Sequence, residues 1–117
     1  MIEKNDFFSD DVRKMVENYE KMIQNRENIY LDEETYEDII DYYFMQGKPR
    51  KALYAVQSAL EQSPFSVLFK LKKAQAYNLL DDADKALSLI EEIELLEPTN
   101  PEIYIAKSDA LELKERF

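Results

Sequence analysis

The side chains that could carry out chemistry in this chain are carboxylates, amines, phenols and hydroxyls, because its 117 residues include neither histidine nor cysteine. An imidazole base, a thiolate nucleophile and a disulfide are therefore excluded. The carboxylates form three short clusters, at Asp32-Glu33-Glu34, Asp81-Asp82-Asp84 and Glu91-Glu92. Each cluster is expected at a helix start or on a polar helix face, where carboxylates are common.

A metal or phosphate site is not expected either. The segment from Asp81 to Asp84 lacks the central glycine and the closing Glu of a calcium loop. Gly47 is the only glycine, which excludes a glycine-rich phosphate loop. We therefore expect no catalytic residue, no metal site and no cofactor, so the chain is not expected to be an enzyme.

Three lysines, Lys70, Lys72 and Lys73, fall close together and allow two interpretations. They could form a small anion site. The interpretation we favour is that their aliphatic stems lie along apolar surface while the ammonium groups stay in water.

The net charge of -10 argues against nucleic acid as a partner, because phosphates would be repelled. Residues 1–46 carry 13 acidic and 5 basic residues, whereas residues 47–117 carry 12 and 10. The acidic first third is either a solvated surface or a binding surface. No apolar signal core is present, and no apolar run approaches the ~20 residues that cross a bilayer. A cytoplasmic location and no membrane association are therefore expected.

Apolar periodicity and capping residues predict six helices. Ser9 is expected to cap the first helix, and Asp32 the second, where Leu31 and Tyr36 have the spacing of a hydrophobic staple. Gly47 can end the second helix in the left-handed conformation. With proline at several boundaries, the predicted helices span residues 9–24, 33–46, 49–62, 66–80, 83–96 and 101–114.

A 34-residue offset relates the later helices to one another. Shifting residues 33–66 onto 67–100 aligns Tyr43 with Tyr77 and Pro64 with Pro98. The same shift aligns Lys51-Ala52-Leu53 with Lys85-Ala86-Leu87. An alanine in the second helix of each pair lets two helices approach closely, and the proline ends that helix.

This pattern resembles the tetratricopeptide repeat family, whose unit is two antiparallel helices in 34 residues. The first repeat supplies the family's pattern positions as Tyr36, Ile39, Ile40, Tyr43, Ala52, Val56, Ala59 and Pro64. The second supplies Lys70, Lys73, Ala74, Tyr77, Ala86, Ile90, Ile93 and Pro98. A partial third repeat supplies Tyr104, Lys107, Ser108 and Leu111. Lys70 and Lys73 depart from the pattern because they stand at apolar positions, and Ile40 and Ile93 depart because they stand at positions of small residues.

The resemblance implies an all-α fold of antiparallel helix hairpins in a right-handed superhelix of about six helices. It divides the chain into a capping segment (1–32) and repeats at 33–66, 67–100 and, in part, 101–117. A generic helical bundle with chance periodicity is the alternative. The third repeat lacks a second helix, which suggests the N-terminal part of a longer bacterial repeat protein. Alternatively, the sixth helix is itself a cap, consistent with Lys107, Asp109, Glu112 and Lys114.

The family's concave face, lined by the first helix of each pair, implies a partner-binding groove. Its positions here are Glu34, Glu37, Asp41, Phe44, Met45, Leu68, Leu71, Gln75, Asn78, Leu79, Glu102, Ile105, Asp109, Glu112 and Leu113. Such a groove is acidic at its ends and apolar in the middle, which favours a basic, apolar peptide. Some relatives grip the C-terminal carboxylate of heat-shock chaperones, but Glu37 and Asp41 would repel that ligand.

Two functions remain open. The first is a non-catalytic protein-protein interaction module that holds a peptide or partner protein in the groove. The second is an assembly role, in which the chain packs against a longer array or forms a homodimer through its C-terminal helix, around Leu111 and Phe117.

Overall fold

The computed structural model describes residues 10–116, which form six α-helices joined by short loops. The helices are α1 (Asp10–Gln24), α2 (Glu33–Met45), α3 (Pro49–Gln62), α4 (Val67–Leu79), α5 (Ala83–Glu94) and α6 (Pro101–Arg116). No strand occurs in this part of the chain, so the predicted all-α architecture is confirmed. The fifth helix ends two residues early and the sixth two residues late. The cap predicted at Ser9 lies outside the described residues.

Side-chain caps start four of the helices. The side-chain oxygens of Asp32, Ser66 and Asp82 each accept a hydrogen bond from the backbone amide three residues later, over 2.7, 3.1 and 3.2 Å. The amide oxygen of Asn100 accepts from the backbone amide of Glu102 at 3.0 Å. These bonds satisfy amide groups that have no partner within the helix, which explains why the helices begin where they do.

The helix ends of the two hairpins also correspond. Gly47 follows α2 with φ +68°, and the amide of Lys48 donates to the carbonyl of Tyr43 at 2.8 Å. Asp81, which is 34 residues later, follows α4 with φ +61°, and the amide of Asp82 donates to Tyr77 at 2.9 Å. The same left-handed turn therefore ends the first helix of both repeats, once with glycine and once with aspartate.

The core consists of two clusters that follow the 34-residue repeat. Ala52, Val56 and Ala59 on α3 are fully buried in the first cluster. Their equivalents on α5 are fully buried in the second cluster, and these are Ala86, Ile90 and Ile93. The alanines at 52 and 86 allow close helix packing, as the sequence predicted, whereas the larger Ile90 and Ile93 fill the core of the second repeat.

The helices pack in sequence order, and the first helices of the repeats also meet. The hairpins α2–α3 and α4–α5 are joined by contacts between α3 and α4, and α5 packs on α6. Helix α4 touches both α2 and α6, so these three helices form one face. Helix α1 packs against α2. Among the described residues, no helix has the length and apolar character needed to cross a membrane.

Candidate functional site

The face formed by α2, α4 and α6 is the candidate site, and its first third is acidic. On α2, Glu34 is exposed and Glu37 is half-buried. Met45 is exposed at the end of the helix, whereas Phe44 is half-buried and packs against the first core cluster. A partner could therefore contact Glu34, Glu37 and Met45 on this part of the face. Only part of the Phe44 side chain is accessible.

Asp41 is already paired within the protein. Its Oδ1 lies 2.7 Å from the Nζ of Lys72 on α4. The side chain of Lys72 is only 13% exposed, while that of Asp41 is 44% exposed. This pair links two neighbouring repeats and neutralises Asp41, one of the three carboxylates that α2 contributes to the face beside Glu34 and Glu37, without any ligand.

On α4, the prediction for Leu71 is wrong. Leu71 is 2% exposed and packs in the second core cluster, where no partner can reach it. Its repeat equivalent Ile105 is 63% exposed, because α6 has no further helix beside it among the described residues. Leu68 is exposed and Gln75 half-buried, so these two side chains of α4 stay accessible.

Helix α6 presents a second group of carboxylates. Glu102, Asp109 and Glu112 are exposed, as is Ile105. Leu113 is only 8% exposed, so it offers little surface to a partner. The inward side of α6 is taken by core residues spaced three and four positions apart, and Leu113 is the last of them.

Several predicted residues converge between the ends of α4 and α6. They surround a cavity of about 290 Å³, lined by Asn78, Leu79, Asp81, Asp109, Glu112, Leu113 and Arg116. The Nδ2 of Asn78 donates to the carbonyl oxygen of Ala106 at 3.1 Å, so its amide links the two helices. Arg116 pairs with Glu112 at 3.2 Å. Asp81 and Asp109 give the remaining lining an acidic character.

Two of the lysines at 70, 72 and 73 pair their ammonium groups with carboxylates. Lys70 contacts Glu92 at 2.8 Å, and Lys72 contacts Asp41. The ammonium of Lys73 lies 5.9 Å from the centre of the Tyr77 ring. The anion site is not favoured either, because carboxylates neutralise two of these lysines. Pairing with Glu92 and packing on Tyr77 explain how lysine is accepted where the first repeat has apolar residues.

Sequence reasoning missed Lys72, Asp81 and Arg116 on this face. Helical spacing could have found Lys72, which lies four residues after Leu68 and three before Gln75. Asp81 falls between the predicted fourth and fifth helices, and Arg116 lies beyond the predicted end of the sixth helix. Among residues 10–116, no group of three possible metal-ligating side chains converges.

The outer side of α6 forms a second exposed surface. Tyr104 is 57% and Leu111 46% exposed, whereas their equivalents Tyr36 and Tyr43 are buried under α3. Ser108 lies between them and is also exposed. The predicted neighbour Phe117 is outside the described residues.

The comparisons with known proteins agree with this geometry. A family model described as tetratricopeptide repeat matches residues 43–110. No curated protein and no solved structure matches the chain. The matched segment covers more than half of the sequence and includes the end of α2, all of α3 to α5 and most of α6. The chain therefore belongs to the tetratricopeptide repeat family.

Proposed function

We propose that this protein is a non-catalytic interaction module that binds a basic, apolar peptide segment on the face of α2, α4 and α6. Repeats of its family mediate protein-protein interaction. The observation that supports this ligand is the order of side chains across the face. Exposed Leu68 and Leu79 on α4 stand between carboxylates of α2 and carboxylates of α6.

The unpaired carboxylates set the charge of the proposed ligand. Within residues 10–116, Glu34, Glu37 and Asp109 take part in no ion pair, unlike Asp41 and Glu112. A segment with Lys or Arg near its ends and apolar residues between them would match this arrangement. The interaction between exposed charges is screened beyond ~8 Å at physiological ionic strength, so the affinity should fall as salt is added.

A basic peptide array tests the proposal, read at low and high salt with wild type and with the double variant Glu37→Lys, Asp109→Lys. Asp41 is left unchanged, because a lysine there would also face Lys72 and weaken the fold. The control Glu91→Lys alters charge on the exposed side of α5, away from the face. We expect the double variant to lose basic peptides while the control keeps them. Equal binding by all three proteins, or a preference for acidic peptides, contradicts the proposal.

The second candidate function is assembly, favoured by the exposed Tyr104 and Leu111 on the outer side of α6. A second copy of the chain is the occupant that we propose for that surface. The division into a capping segment (1–32) and repeats (33–66, 67–100 and 101–117) is likewise a proposal. A cytoplasmic location and a bacterial source stay predictions from the sequence.

A further inference from the structure

A mainly apolar pocket outside the concave face lies among α1, α2 and α3. Its volume is about 310 Å³, at the lower end of the roughly 300–1,000 Å³ typical of ligand sites. Tyr19 and Ile23 of α1, Tyr43 of α2 and Tyr54 of α3 form its apolar walls. We call this site the tyrosine pocket. Helix α1 precedes the residues that match the repeat family, so the pocket does not follow from the repeat pattern.

The polar part of the tyrosine pocket is the ion pair between Glu20 and Lys51, in which one carboxylate oxygen of Glu20 makes no hydrogen bond to the protein. The Oε2 of Glu20 accepts from the Tyr43 hydroxyl at 2.7 Å and from the Nζ of Lys51 at 3.2 Å. The other carboxylate oxygen, Oε1, has no hydrogen-bond partner among the described residues, and the Glu20 side chain is 38% exposed, so a ligand can reach this oxygen from solvent. Burial and the bond to Glu20 raise the pKa of Tyr43, which keeps its hydroxyl protonated as a donor.

The charges in the tyrosine pocket limit what it can bind. Glu20 and Lys51 cancel, so an anionic ligand would meet the carboxylate and a cationic ligand would meet the ammonium group. The Lys51 ammonium also lies 5.9 Å from the centre of the Tyr43 ring, which places a positive charge at that wall. A neutral group gains most from the apolar walls, and a single N–H or O–H donor on it could bond to Oε1.

We propose that the tyrosine pocket binds a tryptophan side chain of a partner protein. The indole ring is neutral and planar, can stack on the exposed ring of Tyr54 and carries one N–H donor for the Oε1 of Glu20. The pocket is open at the surface and has room for one side chain. It would act as an anchor point for a partner, separate from the proposed peptide groove.

The test uses N-acetyltryptophanamide as the probe, followed by its indole fluorescence. The protein contains no tryptophan, so this signal reports the ligand alone. We expect saturable binding to wild type. The 1-methyl analogue, which lacks the donor, should bind about three- to tenfold more weakly, as expected for the loss of one hydrogen bond.

Two variants distinguish binding in the tyrosine pocket from nonspecific binding to other exposed aromatic side chains. Tyr54→Ala removes a half-exposed wall and should weaken binding about tenfold or more. Tyr30→Ala removes an exposed tyrosine elsewhere and should bind as wild type does. The proposal is overturned if the probe does not saturate, if the 1-methyl analogue binds equally well, or if Tyr54→Ala binds normally. Binding of free indole without binding of N-acetyltryptophanamide would also overturn it, because the pocket would then exclude a side chain attached to a backbone.

Discussion

Asp41 on α2 and Lys72 on α4 form an ion pair of 2.7 Å that joins the first helices of two consecutive repeats. The pair is asymmetric, because the lysine is largely covered while the aspartate is nearly half exposed. Removing the aspartate leaves a poorly hydrated ammonium group, whereas removing the lysine leaves a carboxylate that water can reach. The ion pair therefore stabilises the folded protein, whether or not a ligand is bound.

A double-mutant cycle with Asp41→Asn and Lys72→Met should measure this contact. We expect Asp41→Asn to be the more damaging single change, and the coupling free energy to be about 0.5–1 kcal/mol. Urea unfolding of the four proteins gives these values. The exposed pair Glu112 and Arg116 on α6 is the control, with an expected coupling of about 0.3–0.5 kcal/mol. A coupling for Asp41 and Lys72 no larger than the control would contradict the role assigned to their burial.

The left-handed turns after α2 and α4 predict that removing a glycine from the first turn destabilises the protein and that introducing one into the second stabilises it. Gly47 has φ +68° with open space around its Cα, so Gly47→Ala should cost about 1 kcal/mol through backbone strain alone. Asp81 has φ +61° at the equivalent position, and Asp81→Gly should stabilise the protein by a few tenths of a kcal/mol to 1 kcal/mol. Thermal melts of both variants check the prediction. Two changes of the same sign would show that the turns are not equivalent.

Overpacking the contact between α2 and α3 should destabilise the protein. Ala52 is fully buried, so Ala52→Leu should cost about 1–3 kcal/mol. Gln57→Leu adds a leucine at an exposed position of the same helix and should change the unfolding free energy by less than about 0.5 kcal/mol. If Ala52→Leu melts at the wild-type temperature, the assignment of Ala52 to a tight helix contact is wrong.

The sequence predicted the helices well because their boundaries are set locally. Asp32, Gly47 and Pro49 act on amides and dihedral angles within a few residues, and these effects are visible without a fold. The repeat offset predicted the buried Ala52 and Ala86, since the same packing recurs. The offset could not predict that Leu71 is buried and Ile105 exposed, because the two residues share a repeat position and differ only in what packs beside them.

The tyrosine pocket was beyond sequence reasoning for a related reason. It depends on how α1, which precedes the two repeats, packs on α2 and brings Glu20 to Lys51 of α3. The pairing of Asp41 with Lys72 likewise spans 31 residues and depends on the distance between two helices. No local pattern fixes such contacts between elements.

The Glu20 carboxylate predicts a pH dependence of stability. Burial alone would raise its pKa, but hydrogen bonds from Tyr43 and Lys51 outweigh burial and lower the pKa below the ordinary 4.5. A lowered pKa in the folded state stabilises the protein above the unfolded-state pKa, and this contribution is lost as the pH falls through the folded-state pKa. Wild type should therefore be more stable than Glu20→Gln near neutral pH, and the difference should shrink in acid.

Urea unfolding of wild type and Glu20→Gln over a series of pH values measures this dependence. Tyr43→Phe keeps the ring and removes one of the two donors to Glu20, so its stability should depend on pH less steeply than that of wild type in the acid range. Parallel stability curves for wild type and Glu20→Gln would contradict the lowered pKa.

The last prediction concerns self-association through the outer side of α6. Tyr104 and Leu111 lie seven residues apart on one side of the helix, with the small Ser108 between them. If two copies of α6 cross in antiparallel fashion near Ser108, Tyr104 of each copy meets Leu111 of its partner. The contact is then the same on both copies, as a twofold dimer requires, and it covers apolar surface that α3 covers for Tyr36 and Tyr43.

Sedimentation of wild type over a concentration series should therefore show a monomer–dimer equilibrium. Leu111→Lys places two ammonium groups at this contact and should weaken association at least tenfold, because charged groups would lose water without gaining a partner. Leu95→Lys changes a more exposed leucine in the loop after α5 and should dimerise like wild type. A wild type that stays monomeric at high concentration, or equal association by both variants, rules out this surface as the dimer contact and leaves peptide binding as the proposed function.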